Sequence, residues 1–180
     1  MSVNFYGTLL VCGFDFSRDY DTFLHVFKLD TYETEYVISK LKDSMSTIAF
    51  GQVHALRDCL FVGLLSGEIL VYDSSSWNLV STLTGHTKGV ESISFSNFAM
   101  ASASRDTTIS LRSLDTLETK MTYREPSAVK HVAFTPDGTT LVTQSLSGEM
   151  KLRDREVIFN KCLIENTNQL IADLRIVSAG

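Results

Sequence analysis

The chain has 180 residues, of which 44% are hydrophobic and 21% charged, and its formal net charge is -5. This composition is ordinary for a folded globular protein and unlike that of a disordered chain. Acidic residues outnumber basic ones, which does not favour a surface that binds nucleic acid.

Cysteine spacing and the N-terminal segment restrict the chemistry and the compartment. Cys12, Cys59 and Cys162 lie far apart and form no Cys-x-x-Cys pair, so neither a disulfide framework nor a zinc site is predicted. The N-terminal segment lacks a basic region, and Gly7 and Gly13 interrupt its apolar run, so it predicts a strand and not a signal peptide. No apolar run reaches the roughly 18 residues of a membrane span. We expect a cytoplasmic or nuclear protein without membrane contact.

Short strand-like runs separated by turn residues follow one another along the chain, and no helical pattern is convincing. In the clearest unit, strands are predicted at 129–134, 140–144, 150–153 and 157–162. A Pro-Asp-Gly turn separates the first two of them. The run CLFVGLL at 59–65 is apolar throughout, which is typical of strands covered on both faces.

The strand pattern repeats at nearly constant spacing. Asp73, Ser113 and Asp154 occupy the same place in three segments, at steps of 40 and 41 residues, and Lys28 takes this place in a weaker copy 45 residues before Asp73. A second set of matching positions holds phenylalanine, namely Phe50, Phe95 and Phe134. A four-stranded unit of about 40–45 residues has the period of a propeller blade.

The repeat divides one domain into four predicted blades. Their expected ranges are 1–44, 45–84, 85–125 and 126–167, and residues 168–180 begin a further blade or supply a closing strand. The predicted fold class is therefore all-β, a β-propeller of about four four-stranded antiparallel blades, with an incomplete propeller as one form of it.

The units resemble the blades of WD-repeat (WD40-type) β-propellers. LTGHT at 83–87 matches the Gly-His that opens a blade, and FTPDG at 134–138 matches the first turn. SASRDTTISLRS at 102–113 matches the second and third strands, and VYD at 71–73 stands where the family has Trp-Asp. The resemblance is close over residues 45–160 and looser before them.

The resemblance implies a role for Asp106, which lies in the turn between two predicted strands. In this family an Asp at such a turn hydrogen-bonds the histidine of Gly-His, which a strand Ser or Thr and a strand Trp also hold. Here the network would contain His86, Ser102 (or Ser104) and Asp106, with Arg112 at the Trp position. Because a buried carboxylate must be paired or hydrogen-bonded, Asp106 is interpreted as architectural.

A catalytic role for the same His, Ser and Asp is the alternative, since these are the residues of a hydrolase triad. The sequence has no Gly-x-Ser-x-Gly elbow, and the blade accounts for all three residues. His25, His54 and His131 lie singly in strand-like runs without metal-ligand spacing. We expect no enzyme activity, no metal and no cofactor.

Two residues are candidate partner contacts. Arg105 precedes the turn Asp at a position that resembles a partner-contacting site of the family. The alternative interpretation is that Arg105 is a turn residue that contacts only solvent. Trp77 lies in the polar turn DSSSWN, where it either anchors a partner or folds back over the blade. Arg112 and Arg153 replace strand aromatics and are interpreted as side chains that reach solvent from the blade edge.

The resemblance implies a non-enzymatic scaffold or adaptor that mediates protein–protein interactions within a larger complex. The alternative function is a small enzyme or ligand-binding propeller that uses the central channel. The choice between them is drawn partly from fold analogy.

The sequence leaves undecided how the ring of blades closes. A strand at 170–176 could complete the first blade and close a four-bladed ring, or it could begin a fifth blade. An unclosed ring would expose blade faces and strand edges. We favour a propeller completed by a partner or by further chain, place self-association as a homo-oligomer second, and place a closed four-bladed monomer last.

Overall fold

The computed structural model describes residues 2–3, 7–16, 21–39, 41–53 and 57–154. Every regular element within these ranges is a strand, and the strands form four antiparallel sheets. The predicted all-β, blade-like fold is confirmed. The strands predicted at 157–162 and 170–176 lie outside the described residues.

Each sheet is a meander whose strands follow chain order. The first sheet contains β1 (Ser2–Val3), β2 (Leu9–Phe16), β3 (Asp21–Lys28) and β4 (Thr34–Ile38). The second contains β5 (Met45–Val53), β6 (Arg57–Leu64), β7 (Ile69–Asp73) and β8 (Leu79–Leu83). The third contains β9 (Val90–Phe95), β10 (Ala99–Ser104), β11 (Thr108–Ser113) and β12 (Thr119–Arg124). The described strands of the fourth are β13 (Val129–Phe134), β14 (Thr140–Ser145) and β15 (Met150–Asp154).

One glycine brings a turn of the second sheet close to the third. Gly67, in the β6–β7 turn, has a φ of +96°, which residues with a Cβ rarely adopt. A Cβ at this position would lie 2.5 Å from the carbonyl oxygen of His86. Glycine therefore allows the turn to approach the loop that leads into β9.

Three apolar cores lie between consecutive sheets. Alternate residues of a strand face opposite sides of its sheet, so Leu60 and Val62 pack toward the first sheet whereas Phe61 packs toward the third. The continuous apolar run of β6 is thus covered on both faces, as its sequence predicts. The third core joins the third and fourth sheets through Ile109 and Leu141.

The second core contains a close aromatic contact. The rings of Phe61 and Phe95 lie 4.9 Å apart between centroids, at 56°, which is the tilted geometry that aromatic pairs prefer. A Cβ at Gly51 would lie 2.4 Å from the Phe95 ring, so this glycine in β5 makes room for the phenylalanine of the next repeat.

The sheets follow one another as an arc through their first strands. β5 packs on β9, and β9 packs on β13. Side-chain hydroxyls strengthen this contact: Ser46 donates to the carbonyl of Val90 at 2.6 Å, and Ser94 accepts from the N–H of Phe134 at 3.0 Å. Among the described residues, no contact of comparable extent joins the first sheet to the fourth.

The second core predicts a strong dependence on Phe61, which is fully buried. Phe61→Ala should lower the free energy of unfolding by about 3–5 kcal/mol, because it removes apolar area and leaves a cavity between two sheets. Phe98→Ala, at an exposed turn position, should change it by less than about 0.5 kcal/mol. Urea unfolding of both variants measures the difference, and equal effects would contradict the assigned core.

Candidate functional site

The loop from β8 to β9 places His86 against the β10–β11 turn. The imidazole is buried, with Nε2 at 2.8 Å from Ser102 Oγ and Nδ1 at 2.8 Å from Thr108 Oγ1. Nδ1 also lies 3.3 Å from Asp106 Oδ2. The structure therefore brings together His86, Ser102 and Asp106, and it adds Thr108, which the sequence analysis did not include. Ser104 lies elsewhere and donates to the carbonyl of Lys88 at 2.8 Å.

Hydrogen-bond chemistry fixes the tautomer of His86. The Thr108 hydroxyl donates to Asp106 Oδ1 at 2.5 Å, so its oxygen is free to accept from the imidazole. An ionised carboxylate can only accept, so both neighbours of Nδ1 require a proton on that nitrogen. Nε2 then accepts from the hydroxyl of Ser102.

Asp106 connects the loop before β9 to the turn before β11. Its Oδ2 accepts from the N–H of Thr87 at 2.8 Å, and its Oδ1 accepts from the N–H of Thr108 at 2.8 Å. Burial alone would raise the pKa of Asp106, but the Thr108 hydroxyl, these two N–H groups and His86 together lower it below 3.8. Asp106 is therefore an anion that joins two loops.

Burial is the main influence on His86 and lowers its pKa below the usual 6.5. The Asp106 carboxylate acts in the opposite direction, and the cationic Arg112 adds to the lowering. His86 is therefore neutral at physiological pH, which agrees with the tautomer that the hydrogen bonds require.

The connectivity of Ser102, His86 and Asp106 is that of a catalytic triad, in which histidine lies between a hydroxyl and a carboxylate. The position of the serine differs from that of a nucleophile, because Ser102 is fully buried in β10. A substrate carbonyl could not reach its Oγ without displacing neighbouring strands. The geometry is suited to holding a loop on a sheet.

A groove with basic walls lies next to this network, between the third and fourth sheets. Its volume is about 420 Å³, and its lining includes Lys88, Glu91, Arg105, Lys130 and Leu146. Arg105 is exposed, and its Nε forms an ion pair with Glu91. Lys88 and Lys130 are exposed and have no ion-pair partner among the described residues.

A larger cavity of about 750 Å³ lies at one end of the second, third and fourth sheets, where their first and second strands meet. Phe50, Phe95 and Phe134, which are repeat-equivalent in the sequence, all line it. Asp58 and Asp115 also line it, and its described lining contains no Lys or Arg. The two cavities thus differ in charge, one basic and one acidic.

The family model "WD domain, G-beta repeat" matches residues 77–113 and 117–154, which together make up less than half of the chain. The chain contains WD40 repeats. The first match runs from the turn before β8 to the end of β11, and the second from the turn before β12 to the end of β15. Each matched repeat therefore supplies the last strand of one sheet and three strands of the next, which links the sheets covalently.

A solved chain from "Crystal Structure of Mitotic Checkpoint Complex" superposes on this one with a TM-score of 0.70 at 18% sequence identity. The alignment covers 86% of this chain and 45% of that chain, so the present chain spans less than half the length of its structural neighbour. This likeness shows the fold. A search of curated proteins found no match.

Arg112, at the strand position of the WD-repeat Trp, corrects one prediction. It does not reach solvent but is buried, with Nη1 donating to the carbonyl of Leu117 at 3.1 Å and Nη2 donating to that of Thr84. The guanidinium therefore lies beside Gly85 and His86 and is held there by hydrogen bonds to backbone carbonyls. Its Nε is buried and has no hydrogen-bond partner within the described part of the chain.

Trp77, a candidate partner contact from the sequence, lies inside the protein. Its side chain is buried in the core between the first and second sheets, and its ring stacks on Tyr36 at 6.1 Å between centroids. Of the two interpretations open from sequence, the structure shows the one in which the indole folds back over the blade.

Glu125 is a residue that the sequence analysis missed. It is buried after β12 and pairs with Lys151 Nζ at 2.6 Å and with Arg153 of β15. Burial alone would raise the pKa of Glu125, but its two cationic partners lower it. Arg153 also lies 5.0 Å from the ring centroid of Tyr123. Arg153 therefore joins the third and fourth sheets, where a side chain that reaches solvent from the blade edge was predicted.

No group of three or more His, Cys, Asp or Glu side chains with metal-binding geometry occurs among the described residues. No helix in the same ranges is long and apolar enough to cross a membrane. His54 lies outside the described residues.

The network predicts unequal effects at two adjacent positions. Asp106→Ala should lower the free energy of unfolding by roughly 1–3 kcal/mol, because the Thr87 and Thr108 N–H groups lose their acceptor. Arg105→Ala should change it by less than about 0.5 kcal/mol, since an exposed ion pair contributes little. Urea unfolding compares the variants, and equal effects would show that Asp106 is not architectural.

The lowered pKa of His86 predicts acid sensitivity near neutral pH. As the pH falls through the usual titration range of histidine, around 6.5, the unfolded chain takes up more protons at this position than the folded chain does. Stability should therefore fall as the pH falls, by at most about 1.4 kcal/mol per pH unit from this group. The corresponding slope should be smaller in His86→Gln, and urea unfolding at several pH values measures it. A wild-type slope that His86→Gln fully retains would be inconsistent with a neutral, buried His86.

Proposed function

We propose that the chain is a non-enzymatic scaffold that binds protein partners within a larger complex. WD40 repeats support an interaction role in general, and the neighbouring fold comes from a multi-protein assembly. The observation that carries the proposal for this chain is the basic groove between the third and fourth sheets.

The charge of the groove selects the partner. Its lining holds three cations and one carboxylate, although the chain as a whole carries a net charge of -5. A local patch of sign opposite to the whole chain steers an acidic segment to one place on the surface. The partner should therefore present Asp or Glu side chains.

An apolar contact accompanies the charges. Leu146 is 69% exposed at the rim of the groove, beside Ala128 and Val129. Its backbone is fixed, since its N–H donates to the carbonyl of Ala128 at 2.7 Å. A residue whose backbone is already ordered loses less entropy when a partner covers its side chain. An apolar residue next to the acidic ones in the partner should contact Leu146.

Hydrogen bonds and ion pairs beside the groove also hold its two walls in place. Arg105 and Lys88 flank the loops that Asp106 joins, and the ion pair of Glu125 with Lys151 connects the third sheet to the fourth. The architectural network thus serves the scaffold by keeping the two walls at a constant separation.

Charge reversal in the groove should abolish partner recovery. The double variant Lys88→Glu, Lys130→Glu should reduce recovery of the bound proteins by about tenfold or more, because each reversed charge repels an acidic partner. The matched control is Lys42→Glu, Lys120→Glu, which changes net charge equally at positions outside the groove. Affinity capture followed by quantitative mass spectrometry compares them.

Two results would contradict the proposal. Equal losses in the double variant and its control would show that net charge, and not the groove, determines binding. Co-purification of only a small molecule that changes chemically on incubation with the protein would favour the enzymatic alternative.

A further inference from the structure

The fourth sheet has one largely exposed apolar face. Met150 and Leu152 of β15 are 61% and 72% exposed, and Val142 of β14 lies beside Leu152 in the strand register. These three side chains form the open face. It points away from the third sheet, because Leu141 and Val132, at alternate positions, fill the core on the other side.

Strand register identifies the same positions in the neighbouring sheets. The equivalents of Val142, Met150 and Leu152 are Phe61, Ile69 and Val71 in the second sheet and Ala101, Ile109 and Leu111 in the third. All six equivalents are at most 2% exposed and belong to the core formed with the next sheet along the chain. The open face thus corresponds to the faces with which the second and third sheets pack on the sheet that follows each of them. Among the described residues, no following sheet covers it.

The first sheet carries the complementary surface. Leu10 and Phe27 are paired in register, and so are Cys12 and His25, with Val37 beside His25 on β4. This face points away from the second sheet; Leu10, Cys12 and Phe27 are half-buried on it and Val37 is exposed. The equivalents in the second sheet, Leu60, Val62 and Tyr72, are all buried by the preceding sheet. The molecule therefore has one apolar face on which a following sheet would pack and another on which a preceding sheet would pack.

We propose that a second copy of this chain covers the open face, with the fourth sheet of each copy packed on the first sheet of the other. A two-fold axis relates the copies, so both contacts form at once and neither apolar face remains in water. The contact continues the packing that already joins consecutive sheets within one chain.

The number of sheets fits this arrangement. Two copies of the four described sheets would give a ring of eight, and propellers range from about four to eight blades. Closure within one copy would bring the first sheet onto the fourth, and the described residues show no contact of that extent. The proposal does not depend on the basic groove, so the two can fail separately.

Light scattering on the purified chain tests the proposal. The wild-type chain of 20.0 kDa should have the mass of two copies. Leu152→Asp should weaken the dimer by about 100-fold or more, because it would bury an unpaired carboxylate. Leu79→Asp is the matched control: Leu79 is also exposed, but on the outer strand β8, and this variant should remain dimeric. Circular dichroism confirms that each variant is folded.

Mixing two variants tests the head-to-tail orientation. Leu152→Asp and Leu10→Asp should each be monomeric alone, since each breaks both contacts of the ring; Leu10 is chosen because its equivalent Leu60 is fully buried by the preceding sheet. Their equimolar mixture should form a one-to-one dimer, because the fourth sheet of Leu10→Asp and the first sheet of Leu152→Asp are both intact.

Other occupants give distinguishable results that overturn the proposal. A wild-type monomer would mean that residues after 154 of the same chain, or a different protein, cover the open face. A wild-type dimer that Leu10→Asp leaves intact would mean that two fourth sheets pack on each other.

Discussion

Burial of apolar side chains between consecutive sheets is the constraint on which the rest of the structure depends. A single four-stranded antiparallel sheet cannot bury enough apolar surface to be stable alone, so each sheet here needs neighbours. Strand alternation supplies two apolar faces per sheet, as Leu60 and Phe61 show on adjacent positions of β6. Because Leu60, Phe61 and Ile109 lie in three different cores, the arrangement repeats instead of forming one central core.

Polar groups then fix how the sheets are positioned on one another. His86 and Asp106 hold the loop before β9 against the turn before β11, and Glu125 binds two cations of β15. Such buried charges are costly unless each hydrogen bond is made, and Asp106 meets that condition with four donors on its two oxygens. The apolar cores therefore supply the stability, while these polar contacts specify the loop geometry from which the basic groove is built.

The sequence predicted the fold because repetition is visible at single positions. Phe50, Phe95 and Phe134 are equivalent by spacing, and all three line one cavity in the structure. The structure also brings His86, Ser102 and Asp106 together, as the resemblance to WD repeats had implied. The sequence could not predict Glu125, because its partners Lys151 and Arg153 lie in another sheet and no local pattern marks the pair. The sequence left the position of Trp77 open and gave a wrong one for Arg112 for a related reason. Whether such a side chain reaches water depends on the neighbouring sheet. Tyr36 of the first sheet covers Trp77, and the Thr84 carbonyl, at the end of the second sheet, accepts from Arg112.

Amide hydrogen exchange followed strand by strand tests most directly whether packing between sheets governs the fold. Strands covered on both faces should exchange only when the whole domain unfolds, whereas outer strands with one exposed face should exchange through local opening. Exchange should be slowest in β6, β7, β10 and β11, whose residues are mostly buried, and faster in β8 and β12. Exchange in β6 and β10 as fast as in β8 and β12 would contradict this prediction, because burial between sheets would then not be what stabilises the structure.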